Sequence, residues 1–120
     1  MTPFLFEPGE DMRLENLRIE NVRLHGERQR ELIRLKPVVN QYMRKKVPGF
    51  IRQVRFSDVE VTGQPGAYRV QLAGADSEHT VRDVVFERVS VRGVALRSDS
   101  AEVSLGSNVH DVRFVASETK

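Results

Sequence analysis

Four stretches of this chain share one skeleton, and that recurrence constrains the fold more than any other feature. They are RLENLRIENVRLHG (13–26), FIRQVRFSDVEVTG (50–63), TVRDVVFERVSVRG (80–93) and a truncated NVHDVRFVAS (108–117). Aligned on Leu14, Ile51, Val81 and Val109, the fourth column reads Leu17, Val54, Val84 and Val112, and the sixth Ile19, Phe56, Phe86 and Phe114. The ninth is Val22, Val59 and Val89, the eleventh Leu24, Val61 and Val91, and the thirteenth Gly26, Gly63 and Gly93. A repeat unit of this size buries its apolar face only against its neighbours, so the repeat sets the architecture before local propensities do.

Within each copy, Val-x-Phe and Val-x-Val alternate apolar and polar positions with β-branched and aromatic residues, the pattern of short strands. The two-residue polar insertions between them shift the alternation, so each bends the strand while the apolar side chains keep facing one interior. The first bend closes on Asn16, Gln53, Asp83 and Asp111 in turn; Asn and Asp tolerate left-handed backbone and bond nearby peptide groups. A second apolar segment follows each glycine, ELIRLK (31–36), YRVQL (68–72) and VALRS (94–98), with EVSLG (102–106) after the last. The copies start 37, 30 and 28 residues apart.

Leucine-rich repeats are the rival, because Leu14, Leu17, Ile19, Val22 and Leu24 imitate their line. Their ninth position takes Asn or Cys, whereas here it is Val three times, and a helical return segment is missing. A parallel β-helix accepts both departures, since its turns vary in length while strands stay stacked about 4.7–4.9 Å apart. The expectation is an all-β chain: a right-handed single-stranded parallel β-helix of about four coils, with one short helical insertion near 38–47. It forms one domain over 1–120, with a partial or capping coil at 1–12, the insertion at 36–49 and the last strand and tail at 108–120.

Composition narrows the functional classes. The chain has 120 residues, 39% of them apolar, which suits one ordinary globular domain. Nineteen basic against 17 acidic residues leave a net charge of +2, too small for the electrostatic footprint of a nucleic-acid binder. There is no Cys, hence no disulfide, thiolate metal site or thiol nucleophile. MTPFLFEPGEDM carries Pro and acids where a signal peptide has a basic and then an apolar region, and no apolar run approaches a membrane span. The expectation is a cytoplasmic chain as given, or a secreted or periplasmic one if it belongs to a longer enzyme, with no membrane or nucleic-acid partner and no cofactor.

The rungs LENLRIENVRLHG, IRQVRFSDVEVTG and VRDVVFERVSVRG resemble those of right-handed β-helix proteins of the pectin-lyase-like kind, especially the C-terminal coils of polygalacturonase-like glycoside hydrolases. The likeness covers residues 13 to about 116 and implies the scaffold rather than the activity. The hydrolases' Asn-Thr-Asp, Asp-Asp, Gly-His-Gly and Arg-Ile-Lys signatures are all missing. RLKPVVNQ (34–41) departs from the Arg-x-Pro-x-x-Arg line of the lyases, with Val39 and Asn40 where a base is needed. No catalytic residue carries over, and the family's enzymes need about three times this length for a complete groove.

Each chemistry-bearing group has a structural reading beside the functional one. Asp58, Asp76, Asp83, Asp99 and Asp111 are the carboxylates to inspect for acid–base work, and Asp83 and Asp111 share a bend column. A pair about 5 to 9.5 Å apart signals a glycosidase; bend-capping is the simpler role. His25, His79 and His110 lack metal-ligand spacing, and Ser90, Ser98, Ser100 and Ser104 lack a nucleophile elbow. GADSEH (74–79) reads as an ordinary loop. Candidate contacts to an acidic polysaccharide are Tyr42, Arg44, Lys45 and Lys46 on the insertion, and Arg18 and Arg55 in an outward column with Arg113 that Val85 interrupts. Stacked arginines repel unless acids interleave, and Glu20, Glu60 and Glu87 are placed to make an ion-pair lattice instead.

An exposed strand edge invites another chain, so the chain is expected to self-associate through uncapped ends, a dimer being the common closed form. Phe4, Leu5 and Phe6 are placed for an incomplete coil above the first rung. Three functional readings result: a non-catalytic β-helix piece with weak glycan contact, a protein-binding repeat module, and a glycosidase or lyase whose site forms across an oligomer interface.

Overall fold

A computed structural model of the chain describes residues 3–9, 12–27, 30–39 and 47–115, with Glu27 as backbone only. The described residues are all-β and contain no helix. The helix expected near 38–47 falls chiefly on residues 40–46, which lie outside them; residues 37–39 and 47 on either side have no regular structure.

The chain alternates between two sheets. Strands β2 (Arg13–Glu27), β4 (Phe50–Gln64), β6 (Val81–Val91) and β9 (Val109–Val115) stack in that order in one sheet, all parallel. Strands β1 (Phe4–Phe6), β3 (Glu31–Leu35), β5 (Arg69–Leu72) and β8 (Val103–Leu105) stack in the other, also parallel. Each pass adds one strand to each sheet. The repeat columns are the register: Leu17 faces Val54, Val54 faces Val84 and Val84 faces Val112, and the sixth column runs Ile19, Phe56, Phe86, Phe114.

Strands β2, β4 and β6 bend twice and β9 once, at the residues the ladder skips. Asn16, Gln53, Asp83 and Asp111 hold φ of 57°, 57°, 56° and 55°, and Asn21, Asp58 and Arg88 hold 56°, 55° and 53°. A left-handed residue adds one outward position, so the apolar side chains on both sides of the corner turn inward. This converts the 3-2-3-2 spacing of Leu14, Leu17, Ile19, Val22 and Leu24 into a single interior. The first bend column was legible because it is all amide and carboxylate. The second ends in Arg88, a residue type with no such preference.

The core is complete only in the middle passes. Ile51, Val54, Phe56, Val59 and Val61 of β4 and Val81, Val84, Phe86, Val89 and Val91 of β6 are buried, with Leu32, Ile33, Leu35, Tyr68, Val70 and Leu72 from the other side and Leu96 from beside the end of β6. The corresponding residues of β2 and β9 pack against this core but remain half-buried. Phe86 lies between Phe56 and Phe114, its ring stacked at 5.2 and 4.8 Å centroid distances with planes 8° and 12° apart, and Phe4 meets Phe56 edge-on at 5.5 Å.

One rung departs from expectation. VALRS does not stack on β5: β7 (Val94–Ala95) folds back antiparallel onto the end of β6, through a two-residue turn in which Arg92 (φ 50°) and Gly93 (φ 83°) are both left-handed. Two such residues make a type I′ hairpin, whose twist matches that of the flanking strands. The segment stacked on β5 is Val103–Leu105, from EVSLG.

Candidate functional site

The outward side chains between the two bends form the most structured polar surface. On this face Arg18 faces Arg55, Arg55 faces Val85 and Val85 faces Arg113, the interrupted column read from the sequence. Strand pairing holds the two guanidinium-bearing residues Arg18 and Arg55 one strand apart, while the acids beside them come from three passes, Glu20 from β2, Asp58 from β4 and Glu87 from β6.

Glu87 organises the centre. Its Oε1 accepts from Arg55 Nη1 at 2.8 Å and from the buried Ser57 hydroxyl at 3.3 Å, and its Oε2 accepts from Arg88 Nη1 at 2.9 Å. Arg88 also grips Asp58 with two donors, Nε to Oδ1 at 2.5 Å and Nη2 to Oδ2 at 3.0 Å. That fork is the planar match of guanidinium to carboxylate, and it joins two successive residues of the second bend column. Arg88 is thereby held in a left-handed conformation its side chain does not favour. The bond to Arg88 holds the Asp58 carboxyl below its usual range, and the same bond raises Arg88.

Around this cluster lies a shallow depression of about 350 Å³, with Arg18 and Glu20 on the β2 side. A second, of about 460 Å³, lies toward the first bends, lined by Asn16, Gln53 and Asp83 as well as by Arg18 and Arg55. Arg18 borders both and, among the described residues, carries no ion pair. Two more cross-pass pairs complete the lattice, Arg23 Nη1 to Glu60 Oε1 at 2.9 Å and Arg52 Nε to Glu15 Oε1 at 3.2 Å. Both are exposed and screened, so they contribute register more than stability.

The remaining sequence candidates separate. Tyr42, Arg44, Lys45 and Lys46 lie outside the described residues. Asp83 and Asp111 occupy successive bends and are exposed, and Asp99 is exposed in a turn elsewhere. Asp76 serves the 74–79 loop: its Oδ1 accepts from the backbone N–H of Glu78 (2.9 Å), the N–H of His79 (2.8 Å) and His79 Nδ1 (2.9 Å). These three donors, the imidazole first, pull its carboxyl downward. His79 is buried, with its ring 4.8 Å from that of Phe50, so the loop is pinned to the start of β4. His25 and His110 are both exposed, on β2 and β9. Among the described residues no three His, Asp or Glu side chains gather as metal ligands.

Sequence reasoning missed Arg88 as the hub. The available signal was its alignment with Asn21 and Asp58 two residues past the Phe column. Within the cluster the Asp58 carboxyl is held down, opposite in direction to the raised pKa of a general acid.

The fold and this face together define an all-β chain of stacked parallel passes bearing an ion-paired outer surface. Comparison with protein-family models, with curated proteins and with solved structures gives no match to the chain.

Proposed function

We propose that the two sheets are faces of one right-handed parallel β-helix, and that the chain is a non-catalytic scaffold resembling the C-terminal coils of a polygalacturonase-like enzyme. Its contact with ligand is limited to weak capture of an acidic glycan at Arg18 and Arg55. The observation that carries this reading is the continuity of three apolar inward columns through all four passes and of two more through the first three, beneath an outer face where arginines engage Asp58, Glu60 and Glu87. Alternation of successive strands between two parallel sheets supports the helical path, and strand twist makes a crossover between parallel neighbours almost always right-handed.

The glycan contact rests on Arg18, which is paired in register with Arg55, lines the same two depressions and has no ion pair among the described residues. Two guanidiniums one strand spacing apart suit successive carboxylates on a flexible polyanion. Glu87, by contrast, is bonded to Arg55, Ser57 and Arg88 and has little capacity left for a substrate.

Incubation with polygalacturonate, alginate and a neutral glucan tests both parts. The expected result is no release of reducing ends or unsaturated products, with weak retardation in gels containing either polyuronide that Arg18→Ala reduces. Product release would overturn the non-catalytic reading, and retardation unchanged by Arg18→Ala would overturn the contact.

A further inference from the structure

Over the first three inward columns of the larger sheet and both columns of the smaller one, each end of the stack matches the other; beyond Ile19 they differ, since β2 continues through Val22 and Leu24 where β7 lies antiparallel on β6. In the inward columns of the larger sheet, the first pass offers Leu14, Leu17 and Ile19 and the last offers Val109, Val112 and Phe114. In the smaller sheet the ends are Phe4 and Phe6 against Val103 and Leu105, in the columns Phe4–Ile33–Val70–Val103 and Phe6–Leu35–Leu72–Leu105. All ten are apolar. The bend column also ends alike, Asn16 at φ 57° and Asp111 at 55°. Among the described residues no strand pairs with the outer edge of β1, β2, β8 or β9. The cost of the open end is visible within one column: Leu35 and Leu72 are 0% exposed and Leu105 is 44% exposed.

We infer that copies of this chain stack head to tail, with β1 and β2 of one copy seated on β8 and β9 of the next in the register already used between passes. The occupant of the open end is a second copy because that surface repeats, over these columns, the apolar pattern each pass presents to its neighbour inside the chain. It rests on the reading of the chain as stacked passes, and is independent of what the outer face binds.

Pairing of like ends fits poorly. Opposite residues of an antiparallel pair point to the same face. On β2 the bends are Asn16 and Asn21; setting bend against bend places inward Leu17 opposite outward Glu20. Matching the faces instead, Leu17 opposite Ile19, puts each bend against a strand residue. On β9, setting Val112 opposite Phe114 brings Arg113 against Arg113. Head-to-tail stacking keeps the faces and the first bend together, and as a heterologous contact that advances along the stack axis it leaves a free end at each step, so growth continues past the dimer.

Its one like-charge contact among the described residues is Arg113 over Arg18 of the next copy, the same juxtaposition Arg18 makes with Arg55 within the chain. This supplies a test that leaves the core untouched. Sedimentation and light scattering over a wide concentration range should show wild type growing beyond a dimer. Arg113→Glu should tighten association roughly two- to fivefold at low salt, with the gain lost at high salt. Leu17→Lys and Val112→Lys each disable one end; each alone should stay monomeric, and their mixture should stop at a dimer. Far-UV circular dichroism checks that both variants retain wild-type strand content. A wild type that stays monomeric, a single-end variant that dimerises alone, or Arg113→Glu without effect at low salt would each overturn the proposal. None of these outcomes depends on the glycan assays, so the two readings fail separately.

Discussion

Phe56→Ala is expected to be among the most damaging single substitutions in the chain, costing about 3–5 kcal/mol. Phe56 is fully buried in the second pass, stacked on Phe86 and struck edge-on by Phe4, so truncation opens a cavity touching three passes and both sheets. The loss includes packing geometry beyond area, since aromatic pairs add about 0.5–1.5 kcal/mol. A domain of this kind holds only about 5–15 kcal/mol in total, so the variant should be largely unfolded at mild urea concentrations. Phe114→Ala is the control. It occupies the same column but sits half-buried at the open end with one aromatic neighbour, and it should cost clearly less. Equal losses at the two positions, measured by urea denaturation, would mean that the fully buried core does not lie in the middle passes.

The second large effect separates two glycines that the sequence aligns. Gly63 has φ of 105°, and a Cβ there would run into the Gly26 carbonyl of the pass beneath. Gly63→Ala is expected to cost on the order of 2–3 kcal/mol, the scale of a strained backbone position. The neighbouring atom is backbone and cannot turn aside. Gly93 is also left-handed, at 83°, but a Cβ there meets nothing within 4 Å. It belongs to the Arg92–Gly93 hairpin turn, where Asn is a favoured alternative, so Gly93→Asn should lower the melting temperature little. Comparable losses at both positions would contradict the different paths assigned to the two passes.

That glycine column shows how far the sequence could be read. Gly26, Gly63 and Gly93 look like one device repeated. Gly26 instead admits the Tyr68 ring, whose hydroxyl donates to the Gln64 carbonyl; Gly63 admits a peptide group; Gly93 turns a hairpin. Sequence alignment detects that a side chain is excluded but not what excludes it. The inward columns were legible because burial enforces residue type at every pass, and the first bends because Asn and Asp tolerate left-handed backbone. The hairpin that displaces Val94 and Ala95 from the small sheet was not, because a glycine in register with Gly63 suggests the same path.

The candidate face was legible by halves. Arg18, Arg55 and their interruption by Val85 follow from period-2 alternation, and so does the proximity of Glu87. Arg88 was hidden because its role depends on a left-handed bend that its residue type does not announce, held by the bidentate bond to Asp58 one pass below. The loop at 74–79 carries more structure than its composition suggests, since Asp76 binds three donors and fixes His79 against Phe50.

The central claim is that successive repeats stack in parallel, in order and in register. Cross-relaxation between the phenylalanine rings in a nuclear magnetic resonance spectrum tests it most directly. The account predicts contacts from Phe86 to both Phe56 and Phe114, and none between Phe56 and Phe114, which stand roughly 10 Å apart, two strand spacings. A direct contact between Phe56 and Phe114, or a Phe86 ring that touches neither, would contradict it.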